Sequence, residues 1–111
     1  EILLDDEKET ILVQDKGKEN SLSMDCKNGA VTLKAKKEIS LTIGTKEVVK
    51  ADANTVKVAC GTVQLDAQQS LKLGGQSASL TGSSVKVKAD GELGLQASGM
   101  AQLKGSMVKI N

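Results

Sequence analysis

The sequence predicts an all-β fold made of short strands that repeat every seven to eight residues, a β-helical architecture. Three observations predict it. From Val85 to Leu103 the apolar residues Val85, Val87, Ala89, Leu93, Leu95, Ala97, Ala101 and Leu103 all hold odd positions, with lysine, glutamine, serine and glycine between them. Successive side chains of a strand point to opposite faces, so strict alternation marks a strand with one buried face. The same phrase occurs twice upstream, as Val31-Leu33-Ala35 followed by Ile39-Leu41-Ile43 and as Val63-Leu65-Ala67 followed by Leu71-Leu73. Finally, the 111 residues include no Phe, Tyr, Trp, Pro or His. Ordinary cores draw much of their burial from aromatic rings, so this core must be thin, filled by Val, Leu, Ile, Ala and a few Met.

In chain order, Ile2 and Leu4 alternate and Asp5-Asp6 signals a turn. Thr10 to Gln14 is a second short strand, and Asp15 to Asn20 is a polar, glycine-containing connection of hairpin type. Leu22, Met24 and Cys26 alternate up to an Asn28-Gly29 turn. Residues 1–30 therefore read as lead-in strands and a hairpin, and residues 31–111 as the repetitive part.

The repeat is measured from the central apolar residue of each strand. Leu33 to Leu41 is eight residues, and the later centres Val58, Leu65, Leu73, Leu80, Val87, Leu95, Leu103 and Ile110 are seven or eight apart. Leu41 to Val58 spans seventeen, with Val48 or Val49 in the strand between; this is the least regular stretch. Gly44, Gly61, Gly74, Gly75, Gly82, Gly91, Gly99 and Gly105 fall mostly between strands, where glycine permits the positive φ of tight corners. The pattern gives roughly ten strands of about five residues with corners of two to three.

Known β-repeats narrow the choice. A hexapeptide helix needs a period of six, and the calcium-binding nonapeptide array needs Gly-Gly-x-Gly-x-Asp, which is absent. Two options remain: a single chain winding a three-sided solenoid of ~24 residues per coil, or three identical chains sharing one axis. Burial favours three chains. Each strand offers two or three small apolar residues, which suits a narrow axis, and three-fold closure leaves no free sheet edge.

Charge and composition exclude other classes. The total of +1 hides an asymmetry, with seven acids and three lysines in residues 1–20 against seven acids and twelve lysines beyond. No arginine-rich patch and no aromatic platform for a base are present, which argues against nucleic acid. No apolar run approaches the ~20 residues of a membrane-spanning helix. The sequence begins at Glu1 without methionine or a signal-like segment, so it reads as a fragment of a longer protein.

Residues 1–44 resemble the start of the needle region of the VgrG family, the spike proteins of type VI secretion systems. They resemble equally the central spike (baseplate assembly protein V type) proteins of contractile phages and injection particles. The match lies at Leu3 to Asp6, Asp15 to Gly17, Met24-Asp25, Gly29 and Val31 to Ala35. It departs at the usual Gly-Asn turn, where this chain has Gly17-Lys18-Glu19-Asn20. The resemblance implies an intertwined homotrimeric β-helix, a triangular β-prism, preceded by an oligonucleotide/oligosaccharide-binding-type barrel outside this sequence. It implies a membrane-piercing needle that transmits contraction force and joins tail tube and hub proteins through the preceding part. It also implies residence in the bacterial cytoplasm before assembly, then secretion or incorporation in a virion at the tip of the injection tube. With ~4.8 Å between layers, roughly ten layers would reach ~50 Å. Lys34, Lys36, Lys57, Lys72, Lys86, Lys88 and Lys104 would line the outer face, keeping it soluble and blocking lateral strand addition.

The C-terminal GSMVKIN ends on a strand with no cap. In the resembling family such a flat end carries a conical PAAR-type tip protein, which assigns Met107, Val108, Ile110 and Asn111 to tip docking. The remaining candidates read as structural. Cys26 and Cys60 hold inward parity and are expected as small buried thiols, and without histidine or a close cysteine pair no metal site is expected. Asp5, Asp6, Glu7 and Glu9 read as exposed turn acids. Gly82-Ser83-Ser84 has no histidine partner and reads as a corner, so no catalytic group and no cofactor are expected. Met100 and Met107 read as gap fillers. A tail-fibre or adhesin β-helix with a receptor-binding role is the alternative, disfavoured by short corners without aromatics.

Overall fold

The structure, a computed structural model, describes all residues from Glu1 to Asn111. The fold is all-β, with two antiparallel sheets and no helix, so no helix is long and apolar enough to cross a membrane. The chain divides into two compact units, Glu1–Gln68 and Gln69–Asn111.

The first unit opens with a four-stranded meander: β1 (Ile2–Asp5), β2 (Thr10–Gln14), β3 (Ser21–Asp25) and β4 (Ala30–Lys34), neighbours in that order. The turn signals of the sequence fall at its corners, each closed by an aspartate. Asp5 accepts the Lys8 amide at 3.0 Å, Asp15 the Glu19 amide at 2.9 Å, and Asp25 the Asn28 amide at 3.2 Å. At the last corner Gly29 takes φ +72°, a conformation that costs side chains with a Cβ.

Register gives this sheet two unlike faces. Ile2, Val13, Leu22 and Leu33 form one cross-strand row, and Leu4, Ile11, Met24 and Val31 another. The two rows stand two residues apart, so all eight aliphatic side chains share one face. The other face carries Asp5, Thr10, Gln14, Ser21, Ser23, Asp25, Thr32 and Lys34, with the pair Leu3–Leu12 and Ala30 as its apolar members.

A second meander follows, β5 (Glu38–Ile43), β6 (Lys46–Asp52) and β7 (Val56–Val58). Its rows Leu41–Val49–Val58 and Ile39–Ala51–Val56 are apolar, while Ser40–Lys50–Lys57 lies on the opposite face. The register shifts between Leu41 and Thr42, where Leu41 faces Val49 and Thr42 faces Glu47. Val48 is thus the extra residue of a β-bulge, which explains why two valines compete for one strand position and why the spacing breaks here.

Beyond β7 the architecture changes. Ala59 donates to the Val48 carbonyl at 2.9 Å, and no residue from 60 to 111 makes a backbone–backbone hydrogen bond. The single-chain solenoid is therefore not what this chain forms by itself, and seven strands stand where the periodicity predicts roughly ten. The period nevertheless persists as bends at residues 60–61, 68–69, 76–77, 83–84, 90–91, 98–99 and 106. From Leu65 on, every bend begins three residues after a central apolar residue (Leu65, Leu73, Leu80, Val87, Leu95 and Leu103). The residue just before each of these bends is small: Ala67, Gly75, Gly82, Ala89, Ala97 and Gly105.

Those corners do not use positive φ, which among glycines occurs only at Gly29 and Gly44. At three of them a backbone oxygen stands close instead. A Cβ on Gly75 or Gly82 would lie 3.3 Å from the carbonyl oxygen two residues on, and on Gly105 3.1 Å from that of Met107.

No residue of the chain is buried. Cys26 and Cys60, expected as buried thiols, are both exposed. Their inward parity points them to a face over which this chain lays nothing, and each sits just past its strand, at the start of a corner. Met100 and Met107, expected as gap fillers, are each 83% exposed for the same reason: there is no gap within the chain to fill.

Candidate functional site

The feature that stands out is an uncovered apolar surface. In the first meander it is the eight-residue aliphatic face, on which Ile2 and Leu4 are more than 70% exposed and Ile11 and Met24 half-buried. In the periodic part it is the line of central residues, of which Leu95 is 88% exposed. Isolated exposed leucines are ordinary, but a contiguous apolar face of this kind marks an interaction surface.

Hydrogen bonds hold the loops that frame it. Asn20 donates through its amide nitrogen to Asp15 at 2.6 Å, and its oxygen accepts the Lys36 backbone amide at 3.0 Å. Lys36 also pairs with Glu19 at 3.2 Å. The β2–β3 loop is thereby tied to the segment joining the two meanders. No sequence pattern signals this tie, because it links positions sixteen residues apart through a side chain that alone reads as a turn residue. Beside it lies an open cleft of about 510 Å³, with Val13, Leu22, Leu33 and Ile39 among its lining. It is a stretch of the apolar face and not an enclosed chamber.

The loop aspartates are electrostatically set. The Asn20 side-chain amide, helped by backbone amides, holds the Asp15 carboxyl below its ordinary value. The Asn28 amide does the same for Asp25, and the Asn54 and Thr55 amides for Asp52. All three carboxylates serve to close turns. Asp5, Asp6 and Glu9 line a second open cleft with Thr10 and Cys26. No group of three His, Cys, Asp or Glu side chains converges where a metal ion could sit.

The expected docking residues lie after the bend at Ser106. Met107 and Ile110 are more than 80% exposed, Val108 is 48% exposed and Asn111 is exposed. Alternation sets Val108 and Ile110 on one side and Met107, Lys109 and Asn111 on the other. Outward lysines flank the centres at Lys57, Lys72, Lys86, Lys88, Lys104 and Lys109, and none is in an ion pair; the two ion pairs are Lys36–Glu19 and Lys50–Glu38.

Compared with known proteins, the chain matches no family model, no curated protein and no solved structure.

Proposed function

We propose that this chain is a mechanical component, one strand of a three-chain β-helical needle in a contractile injection machine, without catalytic activity. The observation that carries the reading is the state of residues 60–111. They bend at a strict seven-to-eight-residue period and present apolar centres, yet make no backbone hydrogen bond of their own and bury nothing. Ordering a residue costs about 1–2 kcal/mol of backbone entropy. Apolar burial and strand pairing are the terms that offset it, and for this segment both must come from other chains. Three copies around one axis supply them with a closed set of edges.

Two details favour layers stacked in sequence order. The small residue before each bend gives the chain room to turn from one side of a prism to the next. Lys57, Lys72 and Lys86 each precede a centre, and the repeats between them carry Gln64 and Ser79 there. From Val58 to Val87 ammonium groups are thereby kept out of adjacent layers, where like charges would repel; only at the end do Lys104 and Lys109 flank successive centres.

The resemblance of residues 1–44 supplies the machine: a VgrG-type or phage central spike. In that reading, tail tube and hub proteins join through the preceding part and a PAAR-type tip protein sits at Met107 to Asn111. The target envelope is met transiently, after assembly in the bacterial cytoplasm and export or incorporation in a virion. The test is the solution mass by light scattering. A species of three times 11.5 kDa that survives heat and detergent supports the needle, and a folded monomer removes it.

A further inference from the structure

We propose that Asn28 is a self-modification site, converted without an enzyme to aspartate and isoaspartate by ring closure with the Gly29 amide, and that Asp25 restrains the reaction. Both residues belong to the β3–β4 corner of one chain, so the site does not depend on the three-chain reading. The chemistry needs an asparagine side chain followed by a backbone amide free to attack it. The Gly29 nitrogen loses its proton to solvent base and bonds to Asn28 Cγ, closing a succinimide. The Cγ–Nδ2 bond breaks, and the amide nitrogen leaves as ammonia with a proton taken from water. Water then opens the ring at either carbonyl, giving aspartate or isoaspartate.

Of the three asparagines that a residue follows, Asn20, Asn28 and Asn54, only Asn28 meets these needs. After Asn54, the Thr55 amide already donates to Asp52 at 2.8 Å and belongs to a β-branched residue. The Asn20 side chain is held from both ends, its nitrogen by Asp15 at 2.6 Å and its oxygen by the Lys36 amide at 3.0 Å. Gly29, by contrast, donates no hydrogen bond, has open space where a Cβ would stand, and is exposed together with Asn28. One restraint remains. Asp25 accepts the Asn28 backbone amide at 3.2 Å and its Nδ2 at 2.8 Å, which fixes the side chain. Closure requires that side chain to rotate and release the carboxylate. Opening a hydrogen bond to a charged group slows such a step by roughly tenfold or more.

The product undoes the turn that restrained it. Aspartate at this position sets one acceptor-only carboxylate against another, where an amide had donated. Isoaspartate instead adds a backbone carbon inside the corner that aligns Asp25 with Ala30. Either change loosens β4, the edge strand that carries Val31 and Leu33 of the aliphatic face.

The experiment follows site-resolved mass as the full chain ages at mildly alkaline pH, with fragmentation that separates aspartate from isoaspartate. In guanidinium, where no turn exists, conversion at Asn28 gives the unrestrained rate. The folded chain is expected to convert at Asn28 before Asn20 or Asn54, roughly tenfold or more below that rate. Asp25→Ala should recover most of the difference. Asp15→Ala, which opens the corner at the other end of β3, should leave the Asn28 rate as in the parent. A folded chain that converts as fast as the denatured one overturns the proposal, as does an Asp25→Ala chain no faster than the parent. Equal acceleration by Asp15→Ala overturns it too, because a generally looser sheet would then set the rate. Conversion of Asn20 or Asn54 ahead of Asn28 in the folded parent is equally fatal.

Discussion

Leu95 offers the sharpest test of where this protein keeps its core. It is the centre of its repeat, between the bends at 90–91 and 98–99, and is 88% exposed in the single chain. If the isolated chain were the functional fold, Leu95→Ala would remove only about a tenth of the ~1.5–3 kcal/mol that full burial of a leucine is worth. That is ~0.2–0.3 kcal/mol, within the ±0.5 kcal/mol usual for surface changes. If three copies enclose it, each Leu95→Ala costs the ~2–5 kcal/mol of a core truncation. The trimer then loses roughly 6–15 kcal/mol, since three-fold symmetry repeats the change three times. The neighbour Gln96 has the opposite parity, so Gln96→Ala should stay within ±0.5 kcal/mol on either account. Guanidinium unfolding at several chain concentrations, with the mass followed in parallel, measures both. A Leu95→Ala transition that coincides with that of Gln96→Ala would refute the shared core, whatever the parent's mass.

Other outcomes rest on the same geometry. Backbone amides between residues 60 and 111 should resist hydrogen exchange in solution although none has an intrachain partner, and free exchange across that segment would contradict interchain pairing. On the three-chain reading Cys60, exposed in the single chain, should react with maleimide only on unfolding, because its inward parity would place it under the neighbouring chains; prompt labelling of a native trimer would contradict that. Gly105→Ala should lower the thermal midpoint, since its Cβ would come 3.1 Å from a backbone oxygen, whereas Gly94→Ala meets nothing within 4 Å and should hold or raise it. Equal effects of the two would show that the corner relaxes freely. Asp15, Asp25 and Asp52 have folded pKa values depressed below the ordinary 3.8, so their contribution is present above that pH and fades as pH falls through the folded values. Amide shifts of Glu19, Asn28 and Thr55 should titrate with midpoints below 3.8, and midpoints at or above it would show that these carboxylates do not hold the turns.

Much of the fold is legible in local chemistry because its corners are local. Asp5, Asp15 and Asp25 close loops within five residues, Asn28-Gly29 needs only its own φ, and the seven-to-eight period reappears as bends. The illegible part is set by contacts between distant positions. That Val48 is the extra residue of a bulge depends on which residue of β5 faces Val49. The Asn20–Lys36 tie depends on how β2–β3 returns toward β5. Parity places Cys26 and Cys60 on the inward face, but it does not report whether anything covers that face. Glycine at the later corners suggests positive φ, whereas the close carbonyl beside Gly75, Gly82 and Gly105 is a property of the folded corner alone.

The constant offset between apolar centre and bend has a consequence for how such a chain can change over time. In the three-chain needle proposed above, adding or removing one complete repeat leaves every remaining corner and face as it was and alters reach by one strand spacing, ~4.8 Å. Adding a single residue inside a strand inverts the parity of the later residues up to the next bend and sets lysines where the aliphatic side chains stood. Length is therefore free to drift in discrete steps, while the cross-section is held nearly invariant by the corners.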